Sequence, residues 1–238
     1  MPARIAGAEN GMDAVEPVDQ RYYQVARPGS LAERLVIVAR DAIFADFLRL
    51  TNPSPQSTIL DVGVSDVVGE AANVLERKYK YLDRVTAVGL GQADHFKASF
   101  PQVAYRQIEP GENLPFADAS FDIATSNAVL EHVGSEAAQA HFVAELTRVA
   151  RVSFISVPHR FFPLEHHTGI PFLHWTNPSF AWACGLLNKR EWAETETLIL
   201  MSRARLRRLT APLDRPVRVG TTGIPLGPFS SNLYALIG

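Results

Sequence analysis

An α/β fold is predicted by three features of this sequence: an open twisted sheet, mostly parallel, with an antiparallel closing strand and helices on both faces. Short apolar runs of strand length recur along the chain, and between them lie segments with helical spacing of apolar residues. That alternation indicates a parallel sheet covered on both sides. The 238 residues, 47% hydrophobic and 20% charged, suffice for one well-buried domain of ordinary globular composition.

The elements follow in order. Residues 1–20 are polar and aperiodic and are expected to form a mobile arm. From Ser30 to Leu50, the residues Val36, Ala39, Ile43, Phe47 and Leu50 recur at three- and four-residue steps, an amphipathic helix. The two prolines of "TNPSPQS" end it. Strands are expected at 58–62, 84–88, 102–106, 121–125 and 152–157. Helices are expected at about 68–79, 92–99 and 135–150, the last with Phe142, Leu146 and Val149 on one face. Residues 158–200 are rich in aromatics, histidine and proline and break the rhythm. They read as an insertion or lid, too small for an independent core. A helix around 201–209 and strands near 216–221 and 232–237 complete a single domain over 1–238.

A net charge of -2 argues against nucleic acid as the main partner, because phosphate binding shows as a basic surplus. "RARLRR" at 203–208 places Arg203 and Arg207 on one helix face and Leu206 and Leu209 on another, the pattern of a solvated face. Cys184 is the only cysteine, which excludes an internal disulfide framework and a cysteine-based zinc site. No apolar run is long enough to span a bilayer, and the first twenty residues have no signal-peptide core. A cytoplasmic setting is expected.

The stretch "TILDVGVSDVVGE" at 58–70 is a strand that ends at Asp61 and turns at Gly63. In an open α/β sheet, ligands sit beyond the carboxyl ends of the strands, so this turn is the first place to look. A dinucleotide needs further glycines there to bring the backbone to its pyrophosphate, but positions 65 and 67 are Ser65 and Val67. A phosphate-free adenosyl ligand relaxes that need to one glycine. An ordinary tight turn fits equally well.

A second segment, "GENLPFADASFDIATSNAVLEHV" at 111–133, resembles the class I S-adenosylmethionine-dependent methyltransferases of the ubiquinone-biosynthesis-like (type 11) subgroup. The matching pieces are Asn113 to Phe116, Ser120-Phe121-Asp122 and Leu130-Glu131-His132-Val133, with Asp61-x-Gly63 upstream. The resemblance runs from about residue 57 to 157 and implies a Rossmann-like fold with S-adenosylmethionine as cofactor. It implies that Asp61 and Gly63 lie near the methionine part of the cofactor and that Gly89 and Leu90 follow the second strand beside the ribose. It places Gly111 and Glu112 beside the adenine and has Ser126 and Asn127 close the site. Two family carboxylates are missing: Gly89-Leu90-Gly91 stands where an acidic residue usually holds the ribose, and Pro110 where an aspartate meets the adenine. Each loss removes a partner worth about 1 kcal/mol.

Methyl transfer to an alcohol is an in-line displacement that also needs a proton acceptor. Four of the seven histidines lie in "PHRFFPLEHHTGIPFLHW", after the fifth strand. His167 is the expected base, with Glu165 or His174 orienting it or lining the acceptor pocket; packing of the lid is the other account of these side chains. In the resembling subgroup, the pair Glu131 and His132 contributes to a divalent metal (magnesium) site in some members, helped by a carboxylate three positions earlier, where this chain has Ala128. Helix-start residues pointing to separate neighbours are the simpler account. The lid aromatics Phe161, Phe162, Phe172, Trp175, Phe180 and Trp182 either wall an acceptor pocket or form the lid's own core. The expected activity is O-methylation of a saccharide or other small molecule. A catalytically silent member of the fold is the alternative, and a nicotinamide oxidoreductase is disfavoured by Ser65 and Val67.

Overall fold

The computed structural model describes residues 30–67 and 69–238. The arm expected over residues 1–20 lies outside the described residues. Helix α1 (Leu31–Thr51) begins at Ser30, whose hydroxyl accepts from the Glu33 amide, and stops at Asn52 in a left-handed conformation. Its Ala39, Ile43 and Phe47 are buried. There follow β1 (Ile59–Val62), α2 (Val74–Lys78), β2 (Val85–Gly89), α3 (Asp94–Ser99) and β3 (Ala104–Gln107). The second half runs β4 (Phe121–Asn127), α4 (Glu136–Val149), β5 (Ala150–Pro158), α5 (Asn177–Leu186), α6 (Arg203–Thr210), β6 (Val217–Leu226) and β7 (Phe229–Ile237).

The seven strands form one sheet in the order β3-β2-β1-β4-β5-β7-β6. Strands β1 to β5 are parallel, and β7 lies antiparallel between β5 and β6. The chain moves outward from β1 through β2 to β3 and then returns to β4 on the other side. The crevice between the carboxyl ends of β1 and β4 is therefore the switch point at which such sheets bind ligands. Alternate residues of β1 face opposite layers. Leu60 and Val62 pack with Leu146 and Val149 of α4 and Leu206 and Leu209 of α6. Ile59 packs with Ile43 and Phe47 of α1, Leu75 of α2 and Phe96 of α3.

Three elements differ from the sequence expectation. The helix expected over 68–79 is only α2, because Asn73 takes a left-handed conformation and resets the chain direction before it. The insertion contains a ten-residue helix, α5, capped by Thr176 and started by a proline in its first turn. Strands β6 and β7 extend towards each other into one hairpin, with a register shift between Thr222 and Pro225. The insertion has a small core of its own: Ile170, Phe180, Ala183, Cys184, Trp192 and Leu198. Of the lid aromatics, Phe180 sits in that core. Phe161, Phe172 and Phe229 ring Trp175, and Trp182 is exposed.

Candidate functional site

At the switch point lies a chamber of about 480 Å³. Helix α1 covers it with Leu35, Ala39, Ile43, Phe44 and Phe47. Its floor is formed by the ends of β1, β4 and β5, and its far wall by the β6–β7 hairpin and the start of the insertion. The helix and the hairpin supply most of the apolar surface. Polar groups reach it from every side: Asp61, Thr125, Asn127 and His132 from the strand ends and the turns after them, Ser65 and Asn73 from the β1 turn, His166 and His167 from the insertion, Arg40 from α1, and Ser231 and Asn232 from the hairpin.

The turn after β1 shows why two glycines can be absent. Gly63 has φ +100°, and a Cβ added there would stand 2.3 Å from Cγ2 of Val129, so this glycine is required by both conformation and crowding. The following amides are already engaged. Those of Gly63 and Val64 donate to the Val88 carbonyl, that of Ser65 to Oδ1 of Asn73, and that of Val67 to Oγ of Ser65. Asn73 closes the clasp by donating to the Ser65 carbonyl. Asp66 is buried and accepts from the Phe96 amide, so its charge serves the start of α3. A phosphate cradle needs free amides aimed at the ligand. Among the described residues, these four amides are spent on the turn itself and do not form such a cradle.

Asp61 lines the chamber, and burial raises its carboxyl to about 7. Beneath it Glu76, from α2, is 2% exposed, and neither of its carboxylate oxygens has a hydrogen-bond partner. Burial first, and then the charge of Asp61, push the Glu76 carboxyl well above the usual range. Two carboxyls crowded together form a site complementary to positive charge. Glu76 was not foreseen from the sequence. The signal was available in its spacing: it sits between Leu75 and Tyr79, on a helix whose other buried residues are apolar.

Elsewhere along the chamber, the insertion folds back on the turn after β4. Ile199 donates its amide to the Glu131 carbonyl, and Nδ1 of His132 donates to the Thr197 carbonyl at 2.7 Å. Glu165 is buried and accepts from Nδ1 of His167 at 2.9 Å, from the His167 amide and from the amide and hydroxyl of Thr168. Burial alone would raise the Glu165 carboxyl, but the His167 charge and these donors hold it well below the usual carboxylate range. Burial disfavours a charged His167, but Glu165 and then Glu131 overcome this and raise its pKa. His132 is lowered to about 4, by burial first and by His167 second. The two rings meet through their Nε2 atoms, 3.1 Å apart. Since both Nδ1 atoms are donors, that contact is favourable only when a proton or another cation lies between the two Nε2 atoms.

The other predicted residues are distributed unevenly. Asp61, Gly63 and Asn127 line the chamber with His132 and His167, and Glu165 supports His167 from behind. The hydroxyl of Ser126 is turned away, donating to the Val62 carbonyl within the sheet. Gly89 and Leu90 lie at the end of β2, where Tyr105 and Gln107 of β3 close over them: the Tyr105 hydroxyl donates to the Gly91 carbonyl and Gln107 to that of Leu90. Gly111 and Glu112 are exposed and stand apart from the chamber wall. His174 is 1% exposed and donates through Nε2 to the Phe162 carbonyl, a packing position inside the lid. Glu131 is fully buried, with both oxygens unpaired, and burial raises it to about 7.

Residues 60–153 match the family model of a methyltransferase domain. No curated protein sequence matches the chain. Among solved structures, magnesium protoporphyrin IX methyltransferase from Synechocystis, with bound S-adenosylhomocysteine, is 12% identical with a TM-score of 0.57, over 92% of this chain and 91% of that one. A SAM-dependent methyltransferase from Aquifex aeolicus is 16% identical with a TM-score of 0.54, over 87% and 93%. A chain from the complex between the Haloferax volcanii Trm112 methyltransferase activator and a putative methyltransferase is 15% identical with a TM-score of 0.56, over 87% and 91%. Among the described residues no helix is long and apolar enough to cross a membrane. Residues 60–153 thus resemble a methyltransferase domain, and the fold of the chain is that of S-adenosylmethionine-dependent methyltransferases.

Proposed function

We propose that this methyltransferase transfers the methyl group of S-adenosylmethionine to a hydroxyl of a small acceptor held beneath α1. One observation carries the reading: the same chamber is lined by the buried carboxyl of Asp61 and by an anchored imidazole, His167. The cofactor is a sulfonium and carries an ammonium group, and the Asp61–Glu76 pair is complementary to that charge. In the displacement, the acceptor oxygen bonds to the methyl carbon as the carbon–sulfur bond breaks, and sulfur keeps the electron pair. The hydroxyl proton passes to Nε2 of His167 in its unprotonated form, with Glu165 holding the ring through Nδ1. The apolar cover of Leu35, Ile43, Phe44 and Phe47 supports an acceptor whose hydroxyl is carried on an apolar or aromatic body. It gives less support to the saccharide expected from the sequence.

Titration with S-adenosylhomocysteine followed by transfer from methyl-labelled cofactor to a panel of hydroxyl acceptors tests this. Micromolar binding with labelled product is the expected result. No binding at about millimolar ligand, roughly -4 kcal/mol, would favour a catalytically silent subunit, a reading to which the closure of Gly89-Leu90-Gly91 by Tyr105 and Gln107 lends some support. Gly63→Val is expected to abolish binding, because the new side chain meets Val129 at a backbone conformation that only glycine adopts readily. Calorimetry showing parental affinity in this variant would remove the β1 turn from the site.

A further inference from the structure

We propose that Glu131, His132 and His167 bind a divalent transition-metal ion at the chamber wall, with Glu165 and the Thr197 carbonyl as the outer partners that orient the two imidazoles. The inference rests on the methyltransferase reading for what the ion does, but not for the binding itself, and in the metal-bound protein it makes Nε2 of His167 a ligand in place of the free proton acceptor.

Three independent observations converge. One ligand atom from each of the three side chains lies within 4.8 Å of the other two. The Glu131 carboxylate is buried with both oxygens unpaired, and a native fold rarely leaves such a group without a counter-charge. The hydrogen bonds of the imidazoles then fix their tautomers. A carbonyl oxygen can only accept, so Nδ1 of His132 carries its hydrogen towards Thr197, and Nδ1 of His167 donates to Glu165. Both Nε2 lone pairs therefore converge, 3.1 Å apart. Two nitrogens each about 2.1 Å from a common ion, at angles of roughly 90–110°, lie roughly 3.0–3.4 Å apart. Ligand imidazoles held by a carboxylate and by a backbone carbonyl are the usual second layer of a metal site.

The donor set also selects the ion. Two imidazoles and one carboxylate suit zinc, manganese, iron or cobalt, whereas magnesium prefers oxygen ligands in a strict octahedron. The sequence expected a site weakened by Ala128, because the chain lacks a carboxylate three positions before Glu131. The fold supplies the third donor from 35 residues further on, in the insertion. When bound, such an ion supplies Lewis-acid activation of the acceptor hydroxyl in place of a free imidazole.

The test uses the full chain, stripped with chelator and dialysed against cobalt(II). The expected result is close to one cobalt per chain, with visible d–d absorption. It is expected to fall at least tenfold in Glu131→Gln, His132→Ala and His167→Ala. Glu165→Gln should weaken cobalt affinity by about 10–100-fold without removing a ligand. Far-ultraviolet circular dichroism of the Glu131→Gln protein, whose side chain keeps its size, controls for folding. Equal cobalt uptake in all variants, or none in the parent, would overturn the inference. No cobalt but intact S-adenosylhomocysteine binding would leave the methyltransferase reading standing without a metal. Cobalt bound in a protein with no affinity for that cofactor product would sustain the metal site and overturn the cofactor reading of the chamber.

Discussion

Replacing Asp61 with asparagine is expected to remove measurable affinity for S-adenosylmethionine and to make the cofactor-free protein more stable than the parent at about pH 8. Burial raises Asp61 to about 7, above the unfolded value of about 3.9. The folded state therefore holds this proton more tightly than the unfolded chain. The associated stability is complete below about pH 4 and is lost as pH rises through about 7. Glu76 is shifted in the same direction and adds to the loss. Asparagine cannot ionise, so the variant escapes the part due to Asp61, while giving up the charge that faces the cofactor cation. Thermal unfolding at about pH 5 and about pH 8, with and without S-adenosylhomocysteine, checks both halves. The midpoint difference between variant and parent should widen at the higher pH, and only the parent should respond to ligand. A variant less stable than the parent at both pH values would contradict the account of Asp61 as a buried acid that awaits a cation.

His167→Ala should lower turnover by about 10²–10⁴-fold, the usual worth of a positioned proton acceptor, while the dissociation constant for S-adenosylhomocysteine stays within about twofold. The asymmetry follows from the layout. His167 belongs to the insertion and faces the acceptor side of the chamber, whereas the groups assigned to the cofactor come from β1, α2 and β4. His174→Ala serves as the contrast, since that ring bonds the Phe162 carbonyl inside the lid. It should change stability more than chemistry. Equal turnover in the His167→Ala protein and its parent would take His167 out of the reaction.

The sheet was legible because its strands are apolar and its helices periodic. Ile59 and Leu60 flank the core in opposite directions, and Ile43 and Phe47 repeat at the helical step. The insertion was not legible in the same way. Its helix α5 is signalled by Thr176 and Pro178, a capping pattern easily lost among aromatics and prolines. The site was half visible. Asp61, Gly63, Asn127 and His167 announce themselves by type and by position beyond strand ends. The contact between His132 and His167 spans 35 residues and depends on how residues 197–199 dock onto the β4 turn, which no local spacing encodes. Glu76 was missed for a related reason. A charge on a five-residue helix looks solvated until its burial beside Asp61 is seen.

The clasp between Ser65 and Asn73 has a consequence for competition inside a cell. Adenine nucleotides share their nucleoside with the methyl donor, and they are abundant. Triphosphate or diphosphate tails arriving at the β1 turn would meet amides already committed to neighbours, and beyond them two crowded carboxyls that offer an anion no counter-charge. Discrimination against ATP and NAD is thereby expected of the backbone itself, and a turn poorer in glycine would act as a filter that favours an onium compound over its phosphorylated rivals.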